Sequence, residues 1–385
     1  MHRWIAAVLL ACTVQAAPLG PVAYLHCDGR QLKTRDGQAV SLRGVNVGGW
    51  LVTEGWMCGQ ADSGERWALE QLEARFGPER AGRLIEAWRD NWFTTRDLDK
   101  IAEWGFNLIR VPFGYRNLQD ASGAWRRNAK GEIDFARLDW VVKEAARRGI
   151  YVVLDLHIWP GERECYSLIS RHVDGSNEAR ARGAAIWREV ARHFRGDGAI
   201  AGFDLINEPE GSPGDAVQRA FTDAIRAEDP ERIVIGESMT YTNFRDPYWR
   251  NSIWSAHYPE DKEPGTLDEK LTRWAKKAGI TDDVAVPVFI GETKAPEDNK
   301  ESAASLAEAM NKRGWHWAVW CYKAVNQGGW AAFNYHQSLR YDLGRDNFDV
   351  LLARWSTDLI AWQDASRPAN AGWTSWWIDG FRQTR

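Results

Sequence analysis

Eight short apolar runs rich in strand-forming residues alternate along this chain with longer amphipathic stretches. Strand and helix in alternation are typical of a parallel sheet with crossover helices, and eight repeats predict a closed (β/α)₈ TIM barrel. A chain of 385 residues is long enough for one such barrel with long βα loops, so we predict a single α/β domain. The predicted strands are 40–45, 107–111, 151–156, 200–206, 233–236, 252–256, 286–291 and 316–320.

Helices are predicted where apolar residues recur at helical spacing. The segment 65–105 is too long for one crossover, so we expect two helices there, with a break near Gly77 and Pro78. We assign residues 23–370 to the barrel and residues 371–385 to a Trp-rich tail packed on it. Other predicted helices are 135–148, 178–194, 216–228 and 300–312.

Nearly every predicted strand ends in a polar or aromatic residue that an apolar core would not select. The carboxyl ends of barrel strands converge on one face, where enzymes of this fold have their active sites. We therefore expect residues that are scattered in sequence to be neighbours in space. In chain order they are Asn46, Arg110, His157, Asn207, Glu208, Glu237, His257, Glu292 and Trp320.

Glu208 and Glu292 are the two carboxylates in this set whose flanking residues direct them into the barrel mouth. Pro209 disfavours helical geometry at Glu208, so we expect Glu208 to stay extended, and Gly291 allows close backbone packing beside Glu292. Glycosidic cleavage needs one protonated and one ionised carboxyl group. We predict that Glu208 is the general acid/base and that Glu292, held ionised by Arg110, is the nucleophile. The alternative is that either glutamate merely caps a helix.

Composition narrows the choice of partner. The 23 tryptophans suit stacking on sugar rings, although any single tryptophan is more often a core residue. A net charge of −4 supplies no basic field for nucleic acid or an anionic membrane surface. We expect a monomer that binds an oligo- or polysaccharide and uses no cofactor.

The first 16 residues are typical of an export signal. Arg3 provides a positive start, residues 5–10 are apolar, and residues 14–16 have the small side chains of a cleavage site. The alternative is a lipoprotein signal that ends before Cys12. No later stretch has the ~18 uninterrupted apolar residues of a membrane span. We therefore expect an exported protein, secreted or periplasmic, with a lipid anchor on Cys12 as the alternative.

At this point the ordered motifs resemble glycoside hydrolase family 5, the cellulase-like family, over residues 24–362. The resemblance implies a retaining β-glycosidase without a metal cofactor, acting on a β-glucan. It also implies that Arg110 supports the nucleophile and that the other strand-end residues bind substrate. The matching motifs are LRGVN at 42–46, NLIRVP at 107–112, DLH at 155–157, INEP at 206–209, FIGE at 289–292, and Trp320 with YK at 322–323.

One motif departs from the family pattern. The family usually has His-x-aromatic after the sixth strand, with a tyrosine hydroxyl near the nucleophile. Here Tyr258 follows His257 directly, one place early. We include both residues in the predicted substrate-binding set.

The stretch 44–56, GVNVGGWLVTEGW, resembles the first-strand loop of the exo-β-1,3-glucanase branch of the family. There, the equivalent of Glu54 helps to bind the terminal sugar. Gly48 and Gly49 permit the tight turn that would fold this loop over the open carboxyl end of the barrel, which we call the cup. A closed pocket predicts release of single glucose units from the non-reducing end. The alternatives are a surface or helix-capping Glu54 and an open, endo-β-1,4-glucanase-like cleft.

The sequence disfavours two other functions. A carbohydrate-binding barrel without catalysis is disfavoured because both carboxylates are present together with Arg110 and Asn207. A metal-dependent hydrolase is disfavoured because the histidines stand singly at strand ends, without HExxH or His-x-His. The remaining cysteines lack metal-ligand spacing, and their three possible disulfide pairings stay open. These cysteines are Cys27, Cys58, Cys165 and Cys321.

Overall fold

The computed structural model describes most of the chain. The described ranges are 22–60, 65–120, 122–160, 176–209, 214–237, 243–281, 283–335, 337–360 and 371–382. The predicted export signal with Cys12, and also Cys165, lie outside these ranges. Each of the three disulfide pairings needs a bond between two of Cys27, Cys58 and Cys321, and these three are thiols in the structure, so the pairings are wrong. Within the described ranges, no helix is long and apolar enough to cross a membrane.

Eight parallel strands form a closed barrel, which confirms the predicted fold class. The last barrel strand pairs with the first through Trp317 opposite Arg43 and Val319 opposite Val45. The barrel strands are β4 (Arg43–Asn46), β5 (Leu108–Gly114), β6 (Tyr151–Ile158), β7 (Ile200–Asp204), β8 (Val234–Glu237), β9 (Ser252–His257), β10 (Val288–Thr293) and β11 (His316–Val319). Each of the eight apolar runs predicted to be a strand overlaps one of them.

Helices lie between most successive barrel strands, as the alternating pattern predicts, and the last two helices follow the eighth strand. They are α1 (Gly55–Cys58), α2 (Glu65–Trp92), α3 (Thr95–Glu103), α4 (Ala136–Ala146), α5 (Asn177–His193), α6 (Gly214–Glu228), α7 (Leu267–Lys277), α8 (Lys300–Lys312), α9 (Phe348–Ala353) and α10 (Ser375–Phe381). The predicted break in α2 falls at Gly77, whose φ of 78° interrupts the helix. The expectation of two helices over 65–105 is wrong because α3 adds a third helical piece, started by a capping box between Thr94 and Asp97.

A small antiparallel sheet closes the amino-terminal end of the barrel. It consists of β1 (Leu25–Asp28), β2 (Gln31–Thr34) and β3 (Ala39–Val40). Leu25 and Leu32 belong to one buried cluster with Leu42, Leu108 and Phe289 from the barrel strands. This end is therefore filled by apolar side chains, and the polar groups of the barrel interior collect at the opposite, carboxyl end.

The carboxyl-terminal residues complete the outer layer. A second small sheet contains β12 (Lys323–Val325), β13 (Phe333–Tyr335) and β14 (Ala371–Trp373). Helix α10 packs so tightly on α8 that a Cβ on Gly380 would lie 2.4 Å from the Cβ of Ala303. Trp377 is fully buried in this region, with its ring 6.4 Å from that of Phe106.

Candidate active site

Arg110 lies in the centre of the barrel mouth with a fully buried side chain. Its Nη1 donates to Oε1 of Glu292 at 2.9 Å and to Oδ1 of Asn46 at 3.1 Å. Its Nη2 donates to Oδ1 of Asn207 at 2.9 Å. The planar guanidinium of Arg110, on β5, therefore makes hydrogen bonds to β4, to β10 and to the loop after β7. Its five N–H donors have a fixed geometry that allows these contacts at the same time.

Two buried aspartates, Asp155 and Asp204, form ion pairs with Arg110. Its Nε donates to Asp204 at 2.8 Å, and its Nη2 lies 3.2 Å from Asp155. Burial would lower the pKa of Arg110, but Asp155, Asp204, Glu292 and Glu237 together raise it, so the guanidinium stays charged. Burial raises the pKa of Asp204 well above its usual range, against the lowering effect of Arg110.

Three residues of the predicted site lie beside Glu292 in the barrel mouth. Asn46 and Arg110 are 0% exposed, and Nδ2 of Asn46 donates to the Gly291 carbonyl at 2.9 Å. Asn207 is 7% exposed and gives its Oδ1 to Arg110. Arg110 therefore holds Glu292, and the fully buried Asn46 supports both from below. Asn207 is exposed to the same extent as Glu208, so its contact with substrate stays a prediction.

Glu292 lies near the end of β10 and is 4% exposed. Its Oε2 accepts a hydrogen bond from the Tyr258 hydroxyl at 2.9 Å. Tyr258 has a φ of 44°, and its backbone N–H donates to the Glu292 carbonyl at 2.8 Å. This left-handed turn brings the ring back over β10, although the residue comes one place early in sequence. Burial and the charge of Glu292 raise the pKa of Tyr258 well above its usual range, so its hydroxyl remains a donor.

Glu208 lies in the bend that follows β7 and is 7% exposed. Its φ of 40° is in the left-handed region, so the expectation of an extended residue is wrong. A following proline disfavours only the right-handed helical region strongly, and Glu208 avoids that region in a different way. Its Oε1 lies 2.8 Å from Nδ1 of His257, within hydrogen-bond distance.

The two glutamates face each other across the cup. Ligand atoms of Glu208, His257 and Glu292 all lie within 4.8 Å of one another. Carboxyl groups about 5–5.5 Å apart are typical of retaining glycosidases, whereas inverting enzymes need about 6.5–9.5 Å to admit a water between them. The short gap favours a nucleophile over a water-activating base at Glu292.

Glu237 ends β8 and is 0% exposed. Its Oε1 accepts from the Ser255 hydroxyl at 2.8 Å and lies 3.1 Å from Nε2 of His257. Burial would raise the pKa of Glu237, but His257 and Arg110 lower it. The sequence pattern places Glu237 at a strand end, yet nothing in its flanking residues predicts this contact with His257.

Glu54 points into the cup, as the resemblance of its loop predicts. It occupies the cap position of α1 without a side-chain capping bond and is 6% exposed, so the helix-capping and surface alternatives are wrong. Its Oε2 accepts from Trp56 Nε1 at 2.5 Å, and its Oε1 lies 3.2 Å from His157 Nε2. Burial would lower the pKa of His157, but Asp155, whose Oδ2 lies 2.7 Å from Nδ1, and Glu54 raise it to about 10. His157 is therefore a cation at neutral pH.

Aromatic rings form the walls around these carboxylates. Trp320 is 3% exposed and stacks on His157, with ring centroids 5.6 Å apart at 12°. Trp330, which sequence analysis missed, lies 5.7 Å from Trp56 and 6.0 Å from Tyr258, both edge-on. Its sequence signal is only a tryptophan after two glycines, which does not reveal that its loop reaches the first-strand loop.

Glu208, His257 and Glu292 are close enough together to suggest a cation site. The pKa of His257 is raised, because Glu237 and Glu292 outweigh the effect of burial. The raised pKa disfavours the neutral ring, whereas a metal needs the free lone pair of a neutral ring nitrogen. Glu292 is already engaged by Arg110 and Tyr258. For these reasons we assign no metal to these residues.

Comparison with known proteins places these residues in a family. The model of the family described as cellulase, glycosyl hydrolase family 5, matches residues 72–326. A β-xylosidase from Phanerodontia chrysosporium is 27% identical over 349 residues, which are 80% of this chain and 72% of that protein. Glucan 1,3-beta-glucosidase 1 from Schizosaccharomyces pombe is 27% identical over 232 residues, 55% of this chain and 54% of the relative. The chain thus spans about half the length of that glucosidase.

A solved structure shares the fold. Rutinosidase from Aspergillus niger superimposes with a TM-score of 0.58 at 18% identity, covering 76% of this chain and 92% of that chain. At such low identity the likeness shows only the common barrel. The family match extends over more than half of the 385 residues and includes both facing glutamates. The chain therefore belongs to glycosyl hydrolase family 5 and is a glycosidase that hydrolyses O-glycosyl bonds.

Proposed function

We propose that this chain cleaves β-glucan with retention of configuration, and that Glu208 is the general acid/base and Glu292 the nucleophile. The observation that carries this proposal is the pair of carboxyl groups facing each other within 4.8 Å, each with different partners. Glu292 is bound by the Arg110 guanidinium, which favours the ionised form that a nucleophile needs. Glu208 faces a histidine instead, with its Oε1 2.8 Å from Nδ1 of His257.

In the first step, Glu208 gives its proton to the glycosidic oxygen while Glu292 attacks the anomeric carbon. The bond between that carbon and the leaving oxygen breaks, and its electron pair leaves with the departing alcohol. Arg110 and Tyr258 hold the attacking carboxylate in place, so little reorganisation is required. In the second step, Glu208 takes a proton from water, and the resulting hydroxide displaces Glu292 from the sugar.

We further propose that the site is a pocket that accepts a chain end. Glu54 provides a buried carboxylate that can accept hydrogen bonds from adjacent sugar hydroxyls. The contact of Trp56 with Trp330, and the hydrogen bond from Gln327 Nε2 to the Trp56 carbonyl, join the loop after β4 to the loop after β12. A cup closed on that side supports release of single glucose units from the non-reducing end.

Xylose is the second candidate for the terminal sugar. The similarity to the Phanerodontia chrysosporium β-xylosidase covers 80% of this chain, more than the similarity to the glucan 1,3-beta-glucosidases. Xylose lacks the hydroxymethyl group of glucose, so a pocket for one sugar discriminates by volume at that position. Initial rates on matched aryl β-glucosides and β-xylosides, followed by a panel of β-1,3- and β-1,4-glucans and mannan, decide between them.

Glu208→Gln and Glu292→Gln test the proposed chemistry. Because each change removes one required carboxyl role but keeps shape, kcat should fall by several orders of magnitude while the fold stays intact. Glu231→Gln, at an exposed carboxylate outside the cup, is the control and should retain activity. If either cup variant stayed within about tenfold of the unmodified enzyme, a barrier change of only ~1.4 kcal/mol, its catalytic role would be withdrawn.

The first-formed product provides an independent test. Proton NMR during the first turnovers should show the β anomer, and an initial α anomer would exclude double displacement. Full activity after exhaustive chelation would exclude the metal-dependent alternative.

Export and the monomeric state are also proposals. Mass spectrometry of the mature amino terminus distinguishes cleavage after residue 16 from lipid attachment at Cys12, and light scattering gives the oligomeric state.

A further inference from the structure

Glu237 has no role in the two chemical steps proposed above, yet it lies directly behind the acid/base. It is a fully buried carboxylate at the mouth of the barrel, and burying a carboxylate is costly unless it is paired. It accepts a hydrogen bond from the Ser255 hydroxyl at 2.8 Å, and the Gln218 amide bonds to its backbone. The nearest cationic candidate is the imidazole of His257, 3.1 Å away.

His257 connects this buried carboxylate to the reacting groups. Its Nε2 faces Glu237, and its Nδ1 lies 2.8 Å from Oε1 of Glu208 and 3.8 Å from Oε2 of Glu292. The ring is 2% exposed, so it has little contact with water. The groups that face it are therefore Glu237 from β8, Glu292 from β10, Glu208 from the loop after β7, and Arg110 from β5.

The packing around the ring fixes this orientation. A Cβ on Gly291 would lie 2.7 Å from Nε2 of His257 and 2.9 Å from the Ser255 hydroxyl. The ring therefore occupies space that only glycine leaves open, and it cannot tilt far from the line between the two glutamates. A histidine with both nitrogens aimed at carboxylates is suited to donate from both of them.

We propose, on the basis of the function proposed above, that Glu237 is a positioning residue that acts through His257 to support proton donation by Glu208. Glu237 keeps the imidazole as a cation through the ion pair with its Nε2, and the ring donates from Nδ1 to Oε1 of Glu208. The proton of Glu208 is then on its other oxygen, directed at the glycosidic bond. When that proton passes to the leaving oxygen, the new carboxylate is stabilised by the adjacent imidazolium.

The directions of two pKa shifts agree with this arrangement. Burial would lower the pKa of His257, but Glu237 and Glu292 raise it despite Arg110. Burial would raise the pKa of Glu237, but His257, with help from Arg110 and Ser255, lowers it. Each partner thus favours the charged form of the other.

Glu237→Gln tests this role, because it keeps the volume and an acceptor oxygen for Ser255 but removes the charge. His257 should lose its extra proton, and the acid proton of Glu208 should be held more tightly. We expect kcat/KM to fall roughly 10–100-fold on laminarin or p-nitrophenyl glycoside, within the usual range for general acid catalysis. The basic limb of the pH profile of kcat/KM should move to higher pH.

The dependence on the leaving group distinguishes this role from packing. A 2,4-dinitrophenyl glycoside departs without a proton, so its kcat/KM should change by less than about threefold in Glu237→Gln. Glu231→Gln removes an exposed carboxylate just before β8, the strand that ends at Glu237. This control should change neither the limbs of the pH profile of kcat/KM nor the dependence of kcat/KM on the leaving group. Two results would overturn the proposal. One is an equal loss of kcat/KM on both substrates with no movement of the basic limb of the pH profile, and the other is movement of that limb to lower pH.

A measurement on the unmodified enzyme covers the case in which Glu237→Gln does not fold. In ¹⁵N-histidine NMR spectra, assigned with His257→Gln, the His257 ring should carry protons on both nitrogens at pH 7, and a neutral ring would overturn the inference. The proposed function fails separately, through an active Glu208→Gln enzyme. An inactive Glu208→Gln enzyme with an unperturbed Glu237→Gln enzyme would reject only the role of Glu237.

Discussion

Replacing Glu54 with glutamine distinguishes a closed pocket from an open cleft. Glu54 is 6% exposed, accepts a hydrogen bond from Trp56 Nε1, and lies 3.2 Å from the His157 imidazolium. Glutamine keeps the shape of the side chain and one acceptor oxygen for Trp56. It removes the charge that would make Glu54 a strong acceptor for the hydroxyls of a terminal sugar.

The magnitude follows from the type of contact that is lost. A hydrogen bond to a charged group contributes about 1.5–3 kcal/mol, whereas a neutral one contributes about 1 kcal/mol. The difference is about 0.5–2 kcal/mol, so the change should lower kcat/KM on a β-1,3-linked oligosaccharide by roughly 2–30-fold, since each ~1.4 kcal/mol is a factor of ten. The fold should persist, because Trp56 keeps an acceptor.

The assay is a time course of products from laminarin and from a defined oligosaccharide, with kcat/KM for each enzyme. Glucose should be the only early product of the unmodified enzyme, and Glu54→Gln should release it more slowly. Glu231→Gln serves as the charge-matched control, since this carboxylate is exposed and distant from the cup. Unchanged kcat/KM in Glu54→Gln, or early mixed oligosaccharides from the unmodified enzyme, would mean an open, endo-acting cleft.

Three further changes test other parts of the site and the fold. Tyr258→Phe removes the hydroxyl donor to the nucleophile, 2.9 Å away, and should lower kcat roughly 10–100-fold, whereas an unchanged kcat would leave that hydrogen bond without a catalytic role. Gly291→Ala puts a methyl group 2.7 Å from His257 Nε2 and should lower both activity and Tm, while Gly82→Ala, with open space around its Cβ, should leave activity intact. Burial lowers the pKa of His316 to about 4, so as the pH falls the unfolded chain binds a proton on this histidine before the folded chain does. The free energy of unfolding should therefore fall between about pH 6.5 and pH 4, by up to ~1.4 kcal/mol per pH unit. Urea denaturation across that range should show a smaller pH dependence in His316→Asn.

Hydrophobic pattern predicts the barrel well because each parallel strand is buried on both faces and needs a continuous apolar run. All seven residues of β5 and all eight of β6 are buried. The helix Lys300–Lys312 has the predicted bounds, since an asparagine cap and a helical stripe mark it locally. The break at Gly77 and Pro78 does not reveal helix α3, which begins at a capping box between Thr94 and Asp97.

The depth and orientation of side chains were harder to predict than their face. Strand-end position predicts that Asn46 and Glu292 share the barrel mouth, but not that Asn46 is fully buried below the nucleophile. The rule for a residue before proline does not predict the left-handed backbone of Glu208. Tryptophan content was a weak guide as well. Trp187 and Trp317 are fully buried barrel residues, so an excess of tryptophan mainly reflects the core.

The two histidines of the cup illustrate why a sequence alone leaves such residues ambiguous. A histidine at a strand end is equally well explained as a satisfied core residue or as a functional one, because both need hydrogen-bond partners. In the structure, His157 and His257 each lie between one carboxylate at the cup surface and a second carboxylate that is fully buried. In the resting enzyme the row of Glu54, His157 and Asp155 carries a net negative charge. The proton on Glu208 leaves the row through His257 neutral, and Arg110 balances Glu292. The cup therefore has a negative potential where an oxocarbenium-like transition state develops positive charge, and that requirement explains why an apolar barrel retains so many buried acids.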